Sequence, residues 1–269
     1  GEIVAIAGSS GSGKSLLAHA VMGILPENAA VTGKVIYRGE CLDQKKKEAL
    51  RGTKIALVPQ SVAYLDPLMR VGKQVTGSDS GKDRKRSQKE IFKRFHLDEK
   101  VERYYPFQIS GGMARRVLVS TAVISNASLI IADEPTPGLD LEMALEALKI
   151  FRELADEGKA VVLITHDIDL AFNIADRIAV FYAGTTVEMA KAEDFRRGMQ
   201  ELRHPYSKAL WQALPQNGFQ PIPGFQPYAK YLPKGCLFSP RCPHRTEECE
   251  KDIPMREIRG GYVRCIHAT

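Results

Sequence analysis

The stretch GSSGSGKS at positions 8–15 constrains this chain more than any other feature. It follows GEIVAIA, an apolar run typical of a buried strand, and it precedes SLLAHAVMGIL, whose apolar residues recur at helical spacing up to Pro26. A glycine-rich loop between a strand and a helix directs backbone N–H groups and the helix dipole at one point, which suits a phosphate chain. We therefore predict a phosphate-binding loop made of Gly8, Ser9, Ser10, Gly11, Ser12, Gly13, Lys14 and Ser15.

Two side chains of this loop carry its chemistry. We expect the ammonium of Lys14 to reach the β- and γ-phosphates and the hydroxyl of Ser15 to ligate Mg²⁺. No GxGxxG register fits the stretch, which disfavours a dinucleotide-binding loop.

The stretch LIIADEP at positions 129–135 supplies two carboxylates. Asp133 ends a strand without polar alternation, which predicts burial on both faces, and we expect it to hold Mg²⁺ through water. Glu134 follows where the strand ends, and a carboxylate there orients or deprotonates an attacking water. Together with the phosphate loop, this pair predicts hydrolysis of a nucleoside triphosphate.

Strand and helix patterns alternate along the first two hundred residues. Strands are predicted at 1–8, in KVIYRGE and KIALVPQ, and at 129–133, 160–166 and 177–184, with helices at 15–25, 90–103, 115–124, 141–154 and 169–175. This alternation predicts an α/β fold with a parallel sheet. From about Arg203 onward nine prolines interrupt every pattern, so we predict an extension with little regular structure.

Three short motifs add further polar residues. ISGGM, at positions 109–113, places Ser110 where it can cap an apolar helix. Gln60 ends the strand of VPQ, and His166 ends the strand of LITHD.

With these motifs in this order, residues 1–200 resemble the ATP-binding-cassette ATPases. The resemblance implies a nucleotide-binding core at 1–66 and 116–200, a helical subdomain at 67–115 with the ISGGM signature, and a C-terminal extension at 201–269. It implies that Ser15, Gln60 and Asp133 serve Mg²⁺ and ATP, and that Glu134 and His166 are catalytic.

The same resemblance implies two half-sites on each chain. Ser110, Gly111 and Gly112 would contact the γ-phosphate of ATP held by a partner subunit, so ATP would drive face-to-face dimerisation. Asp140, in GLD, would belong to the dimer-contact loop, and Gln60 would couple to a membrane subunit. Met113 stands where glutamine is commonest in the superfamily, and we expect activity to survive this departure.

Met113, LDPLMRVGKQV, HPYSKAL at 204–210 and the tail GCLFSPRCPHRTEEC together resemble the oligopeptide/dipeptide/nickel importer ATPases. This resemblance implies a second, often non-identical ATPase subunit, two membrane permease subunits and an external substrate-binding protein. The chain would lie on the cytoplasmic face of a bacterial or archaeal membrane. The cargo, peptide or nickel chelate, stays open. The rival interpretation is a non-transport cassette ATPase with a structural or redox-sensing tail.

The tail also concentrates four of the five cysteines: Cys236, Cys242, Cys249 and Cys265. Clustering among prolines and glycines favours a metal site over free thiols, and a reducing compartment disfavours disulfides. Zinc accepts four thiolates but favours tighter spacing, whereas a 4Fe–4S cluster tolerates wider spacing, and the family resemblance also favours the cluster. His244 and His267 lie nearby and are interpreted as surface residues, with a role as outer or spare ligands as the alternative. A crosslink that supplies folding free energy to the tail is the default role, and redox regulation is the alternative.

Charge and hydropathy exclude other classes. The chain has 38 basic and 32 acidic residues, a net charge of +6 that an ordinary solvated surface explains. The basic clusters at 45–47 and 82–86 lack interleaved aromatic residues, so we expect no nucleic-acid partner. No apolar run approaches the ~20 residues of a membrane span. The chain begins inside a strand pattern without methionine, which favours a truncated product.

Overall fold

The computed structural model describes residues 1–77, 81–138 and 141–269. The strands are β1 Glu2–Ala7, β2 Ile36–Tyr37, β3 Glu40–Cys41, β4 Ile55–Val58, β5 Leu129–Asp133, β6 Ala160–Thr165, β7 Arg177–Tyr182, β8 Thr185–Lys191, β9 Arg256–Ile258 and β10 Gly261–Val263. The helices are α1 Lys14–Met22, α2 Gln44–Leu50, α3 Val71–Thr76, α4 Lys82–Arg94, α5 Gly111–Val123, α6 Leu141–Asp156, α7 Ile168–Ile174, α8 Ala192–Arg197 and α9 Pro205–Gln212. No helix in the described ranges is long and apolar enough to cross a membrane.

The chain divides into two compact units. The first unit contains Gly1–Glu2 and Ser15–Leu163, and the second contains Ile3–Lys14 and Ile164–Thr269. The domain boundaries predicted from the sequence stay predictions, because compactness does not test which segment binds nucleotide.

In the first unit, β4 and β5 pair in parallel, with Ile55 opposite Leu129 and Val58 opposite Ala132. Both strands are largely buried and carry no polar alternation, as a parallel pair covered on both faces requires. The predicted amphipathic helix at 141–154 is confirmed as α6. Its core-facing side chains include Phe151, which is fully buried.

The second unit contains both parallel and antiparallel strands, so the parallel pairing predicted from the sequence is joined there by antiparallel pairs. β1 pairs in parallel with β7, but β7–β8, β8–β10 and β10–β9 are antiparallel. Ala183 and Gly184 both have positive φ, 46° and 90°, so the chain reverses in a two-residue turn and leaves no room for a crossover helix. The predicted strand at 177–184 therefore ends at Tyr182.

The extension contains more regular structure than its prolines predict. Pro205 is the first residue of α9, a position where proline is favoured because its missing N–H has no partner within the helix. His204 caps this helix, since its Nδ1 accepts from the N–H of Tyr206 at 3.0 Å. Farther along, β10 pairs with β8, so the extension adds strands to the second unit.

A buried ion pair also attaches the extension to β8. Glu188 and Arg203 are 0% and 1% exposed, and Oε1 of Glu188 lies 3.4 Å from Nη1 of Arg203. Glu188 also accepts the backbone N–H groups of Arg203 and His204 at 2.9 and 2.8 Å. The guanidinium of Arg203 donates to Asp194 and to the carbonyls of Ile258 and Arg259, as well as to Glu188. These bonds satisfy a charge pair that would otherwise be costly to bury.

Several predicted boundaries shift for local reasons. The predicted helix at 15–25 ends at Met22, because Gly23 adopts φ of 67°. KVIYRGE forms only a short hairpin of β2 and β3, whose turn has positive φ at Arg38 and Gly39. The helix predicted at 90–103 is wrong in position: α4 ends at Arg94 and a short 3-10 turn covers 99–103.

Candidate active site

The phosphate loop in the second unit has the backbone that its glycines predict. Gly11 and Gly13 have φ of 75° and 98°, conformations that side-chain-bearing residues rarely adopt. A Cβ on Gly8 would lie 2.2 Å from the carbonyl oxygen of Phe181, so only glycine fits there. Lys14 is 4% exposed, and its Nζ donates to the carbonyls of Gly8 and Ser9 at 2.8 and 3.0 Å. The ammonium therefore lies within the loop that the sequence predicts to bind phosphate.

In the first unit, Ser15 and Asp133 form an oxygen pair. The hydroxyl of Ser15 donates to Oδ1 of Asp133 at 3.1 Å, across 118 residues of sequence. Asp133 is 3% exposed at the end of β5. A hydroxyl and a carboxylate are hard oxygen ligands, the type that Mg²⁺ prefers, so the donor set fits the predicted ion.

Glu134 and Gln60 form a second predicted pair. Nε2 of Gln60 donates to Oε2 of Glu134 at 3.0 Å. Glu134 has a φ of 45°, an unfavourable conformation for a residue with a side chain, and such strain is concentrated at functional sites. The amide of Gln60 thus binds the carboxylate of Glu134, the residue at which the backbone leaves the extended conformation of β5.

Arg115 is a site residue that the sequence analysis did not single out. Its Nη1 donates to the carbonyls of Gln60 and Glu134 at 2.5 and 3.5 Å, and its Nη2 donates to Pro137 at 3.4 Å. Burial lowers the pKa of Arg115. The buried guanidinium of Arg115 thus links the backbone at Gln60 and Glu134 to α5. Its sequence signal was one of two adjacent arginines, Arg115 and Arg116, in a largely apolar helix.

The predicted helix cap at Ser110 is present. Its hydroxyl accepts from the N–H of Met113 at 3.2 Å, and α5 begins at Gly111, four residues before the predicted start. Ser110 and Gly111 are exposed, and Gly112 is half-buried. The helix N-terminus therefore presents its first N–H groups at the surface, as an anion site requires.

Two predicted residues complete the set. His166 lies exposed after the end of β6 in the second unit, and the next residue, Asp167, caps α7 by accepting from the N–H of Leu170 at 3.0 Å. Asp140, predicted in the dimer-contact loop, lies outside the described residues.

All four tail cysteines are unbridged thiols, as is the exposed Cys41. Burial raises the pKa values of Cys236, Cys242 and Cys265, and nearby thiols raise them further. Cys249 is 4% exposed, and its Sγ lies 3.6 Å from Nε2 of His267. Cys236, Cys249 and Cys265 are buried, Cys242 is half-buried, and His267 contacts Cys249, as its alternative interpretation as an outer or spare ligand allows.

The four tail thiols do not have the arrangement of a single-ion site. Within residues 1–77, 81–138 and 141–269, no three or more His, Cys, Asp or Glu side chains are placed to hold a metal ion. The thiols as they stand thus do not form a ready site, either for zinc or for an iron–sulfur cluster. Four neighbouring thiols do provide the ligand number and type of an iron–sulfur cluster.

Comparison with known proteins agrees with the motifs. Residues 1–137 match the family model described as ABC transporter, and residues 187–249 match the oligopeptide/dipeptide transporter C-terminal region. The oligopeptide transport ATP-binding protein OppD of Salmonella typhimurium is 36% identical over 98% of this chain and 83% of its own length. The chain belongs to the ABC transporter ATPase family. The dipeptide transport ATP-binding protein DppD of Bacillus subtilis is 34% identical over 96% of this ABC ATPase and 82% of its own length.

Solved ABC cassettes have the same fold. The dimeric structure of the bacterial cassette MJ0796 is 30% identical to this ABC ATPase, with a TM-score of 0.63 over 71% of this chain and 85% of its own. A second structure of that cassette, with the same identity and TM-score, is a post-hydrolysis dimer bound to ADP and phosphate. This family membership makes the chain an ATP-hydrolysing enzyme.

Proposed function

We propose that this ABC ATPase powers the import of oligopeptides or dipeptides. The observation that carries the proposal is the similarity to peptide-transport ATP-binding proteins along nearly the whole chain, including the extension. A generic cassette would match over the nucleotide-binding part alone. Nickel chelates remain the alternative cargo, because the sequence features of the extension are shared by both kinds of importer.

The hydroxyl of Ser15 and the carboxylate of Asp133 are proposed to hold Mg²⁺, Asp133 through water and with Gln60 nearby in the ligand shell. Mg²⁺, when bound, neutralises charge on the phosphate oxygens. The residues Gly8–Ser15 bind the phosphate chain through backbone N–H groups and the ammonium of Lys14. The hydrogen bond between Ser15 and Asp133 supports this role, because it holds both ligands in advance.

Glu134 is proposed to orient and deprotonate the attacking water. The 3.0 Å bond from Gln60 supports this role, since it fixes the orientation of the carboxylate that would meet the water. His166 is proposed to hold the γ-phosphate and the water in the reactive geometry. Arg115 is a positioning residue, because it touches the backbone of Gln60 and Glu134 rather than substrate.

The partners follow from exposed surfaces. Ser110, Gly111 and Gly112 are proposed to contact ATP on a second ATPase subunit, with Asp140 in the dimer-contact loop. The dimeric state of the solved cassettes supports ATP-driven dimerisation. The side chains of Tyr64, Leu68 and Phe107 are 63%, 86% and 74% exposed, apolar surface suited to contact with a permease subunit on the cytoplasmic face of the membrane. An external substrate-binding protein would deliver the cargo.

Cys236, Cys242, Cys249 and Cys265 are proposed to hold a 4Fe–4S cluster. The burial of Cys236, Cys249 and Cys265 and the effect of the other thiols on the pKa of Cys236 support this assignment, and the number of cysteines equals the four thiolates that the cluster uses. A cluster would crosslink segments separated by up to 29 residues of the extension (265 − 236 = 29). Its primary role would be structural, since a metal crosslink supplies folding free energy.

The catalytic assignment is tested with Glu134→Gln. Loss of a positioned general base is expected to lower ATP hydrolysis by roughly 10²- to 10⁴-fold. ATP-dependent dimerisation, measured by size-exclusion chromatography with light scattering, should persist. The control is Glu90→Gln, an exposed glutamate paired with Arg86, and it should hydrolyse ATP normally. Near-normal turnover of Glu134→Gln would refute the assignment.

The cargo is tested in proteoliposomes that contain this chain, the second ATPase subunit, both permeases and the binding protein. Uptake of labelled di- to pentapeptides that depends on ATP and disappears with Glu134→Gln would support the proposal. Uptake of a nickel chelate without peptide uptake would replace the peptide by that cargo.

A further inference from the structure

Ser9 of the phosphate loop makes a hydrogen bond to one side chain of the C-terminal extension and lies close to a second. Its hydroxyl donates to Oε1 of Gln226 at 2.8 Å, across 217 residues of sequence. Burial raises the pKa of the Tyr206 phenol, and hydrogen bonds with the side chain and amide of Ser9 oppose that rise. The second residue of the loop thus meets two side chains that lie outside the part of the chain assigned to nucleotide binding. All of these residues belong to the second unit.

Tyr206 is held rigidly where it meets Ser9. It is 2% exposed, and its ring lies 4.4 Å from that of Tyr182 and 5.3 Å from that of Phe238, measured between centroids. The cap at His204 fixes the start of α9, because its Nδ1 accepts the N–H of Tyr206 itself. Burial lowers the pKa of His204 to about 3, so the ring is neutral at physiological pH and keeps its acceptor. The three residues of HPY therefore act together: His204 caps α9, Pro205 begins it, and Tyr206 places its side chain next to Ser9.

Gln226 is held by a different element. Nε and Nη2 of Arg241 donate to the carbonyls of Pro223 and Ile222 at 2.7 and 2.9 Å, which anchors the segment that leads to Gln226. Arg241 also lies against the ring of Phe238, 5.9 Å from its centroid. The two side chains on Ser9 thus rest on one aromatic and arginine cluster.

We propose that Tyr206 and Gln226 are positioning residues for ATP, holding Ser9 so that the phosphate loop is set before nucleotide binds. The inference rests on the proposed role of the loop. Glycines at Gly8, Gly11 and Gly13 give the loop wide conformational freedom, and ATP must order it before the backbone N–H groups converge. A loop anchored at one residue loses less entropy on binding, and affinity rises without any new contact to the ligand.

The test is steady-state ATP hydrolysis by the full chain with Tyr206→Phe and Gln226→Ala. Each variant removes one contact to Ser9, and loss of one hydrogen bond is expected to raise the KM for ATP by about 2- to 10-fold. The kcat should change by less than about 2-fold, because neither side chain touches the reacting atoms. Gln226 lies in an extended segment without regular structure, so Gln226→Ala retains the fold even if Tyr206→Phe weakens the aromatic cluster.

The matched control is Tyr182→Phe. Tyr182 belongs to the same cluster, but its hydroxyl accepts from Nη1 of Arg241 at 3.3 Å, and the Nε and Nη2 bonds that hold the segment of Gln226 stay in place without it. A merely structural role predicts equal effects of the two Tyr→Phe variants, seen in thermal stability and not in KM. Unchanged KM in both Tyr206→Phe and Gln226→Ala would overturn the inference.

Lys14→Ala separates this inference from the proposed role of the loop. Normal hydrolysis by Lys14→Ala would refute both, since the loop would then not serve ATP. An inactive Lys14→Ala beside unchanged KM in Tyr206→Phe and Gln226→Ala would refute only the positioning role.

Discussion

Arg203→Met is expected to detach the extension from β8. The substitution keeps a long apolar side chain but removes the guanidinium that faces Glu188 and Asp194 and that donates to the carbonyls of Ile258 and Arg259. Glu188 is 0% exposed and would remain as a buried carboxylate held by two backbone N–H groups alone.

The expected cost follows from that burial. Removing one partner of a buried ion pair typically destabilises by about 3–5 kcal/mol, because the remaining charge is neither solvated nor neutralised. With a denaturant dependence of about 3 kcal/mol per molar urea, the unfolding midpoint should fall by about 1 to 1.7 M.

Unfolding can be followed by the fluorescence of Trp211, and an exposed ion pair of the same extension provides the control. Trp211 is the one tryptophan of the sequence, and its indole N–H donates to the carbonyl of Phe195 at 3.0 Å, so its fluorescence follows unfolding of this region. The control is Arg245→Met. Arg245 lies 2.9 Å from Glu250, but the two side chains are 52% and 56% exposed. Such a pair contributes about 0–1 kcal/mol, so the control midpoint should hardly move.

Equal midpoints of Arg203→Met and Arg245→Met would refute the reasoning. A further check is the double variant Arg203→Met/Glu188→Gln. Glutamine carries no charge, and its amide oxygen still accepts one of the two backbone N–H groups that Glu188 binds, so the double variant should recover part of the loss. A double variant less stable than Arg203→Met would mean that the cost does not arise from the buried charge of Glu188.

Three other predictions concern the cap, the thiols and the signature. The pKa of His204 is about 3 in the fold and 6.5 when exposed, so the unfolded state binds more protons between these values. The unfolding free energy should therefore fall by about 1.4 kcal/mol per pH unit below about pH 6; His204→Asn keeps a cap acceptor and should abolish that contribution in urea titrations. Cys249→Ser should abolish the brown colour and the iron of anaerobically purified protein, whereas the exposed Cys41→Ser should retain both; a colourless wild type without iron would refute the cluster. Ser110→Ala removes the cap of α5 and should lower ATP hydrolysis in the dimer while monomer ATP binding, by equilibrium dialysis, persists.

The phosphate loop could be predicted from sequence because its requirements are local. Gly11 and Gly13 have the positive φ that the motif implies, and Ser110 caps α5 through a residue three positions away. Asp133 could also be predicted, because the end of a buried strand defines where its side chain emerges.

Contacts across the chain could not be predicted in the same way. Arg115 meets Gln60 from 55 residues away, and Ser9 meets Gln226 from 217 away. Nothing in the spacing of a sequence encodes such pairs. In contrast, the turn at Ala183–Gly184 had a readable signal, a small residue followed by glycine between two strand-like runs, and was missed because AG was included in the strand.

The number of prolines in the extension led to the wrong prediction of little regular structure, because proline is favoured at the first position of a helix. Pro205 begins α9 rather than breaking a helix, and that helix delivers Tyr206 to Ser9. Phe238 packs on Tyr206 and belongs to the loop that joins Cys236 to Cys242. The proposed crosslink among the thiols would therefore stabilise the same aromatic cluster that contacts Ser9. If both proposals hold, the cysteines and the positioning residues depend on one set of contacts, and loss of the crosslink should weaken ATP binding before it abolishes hydrolysis.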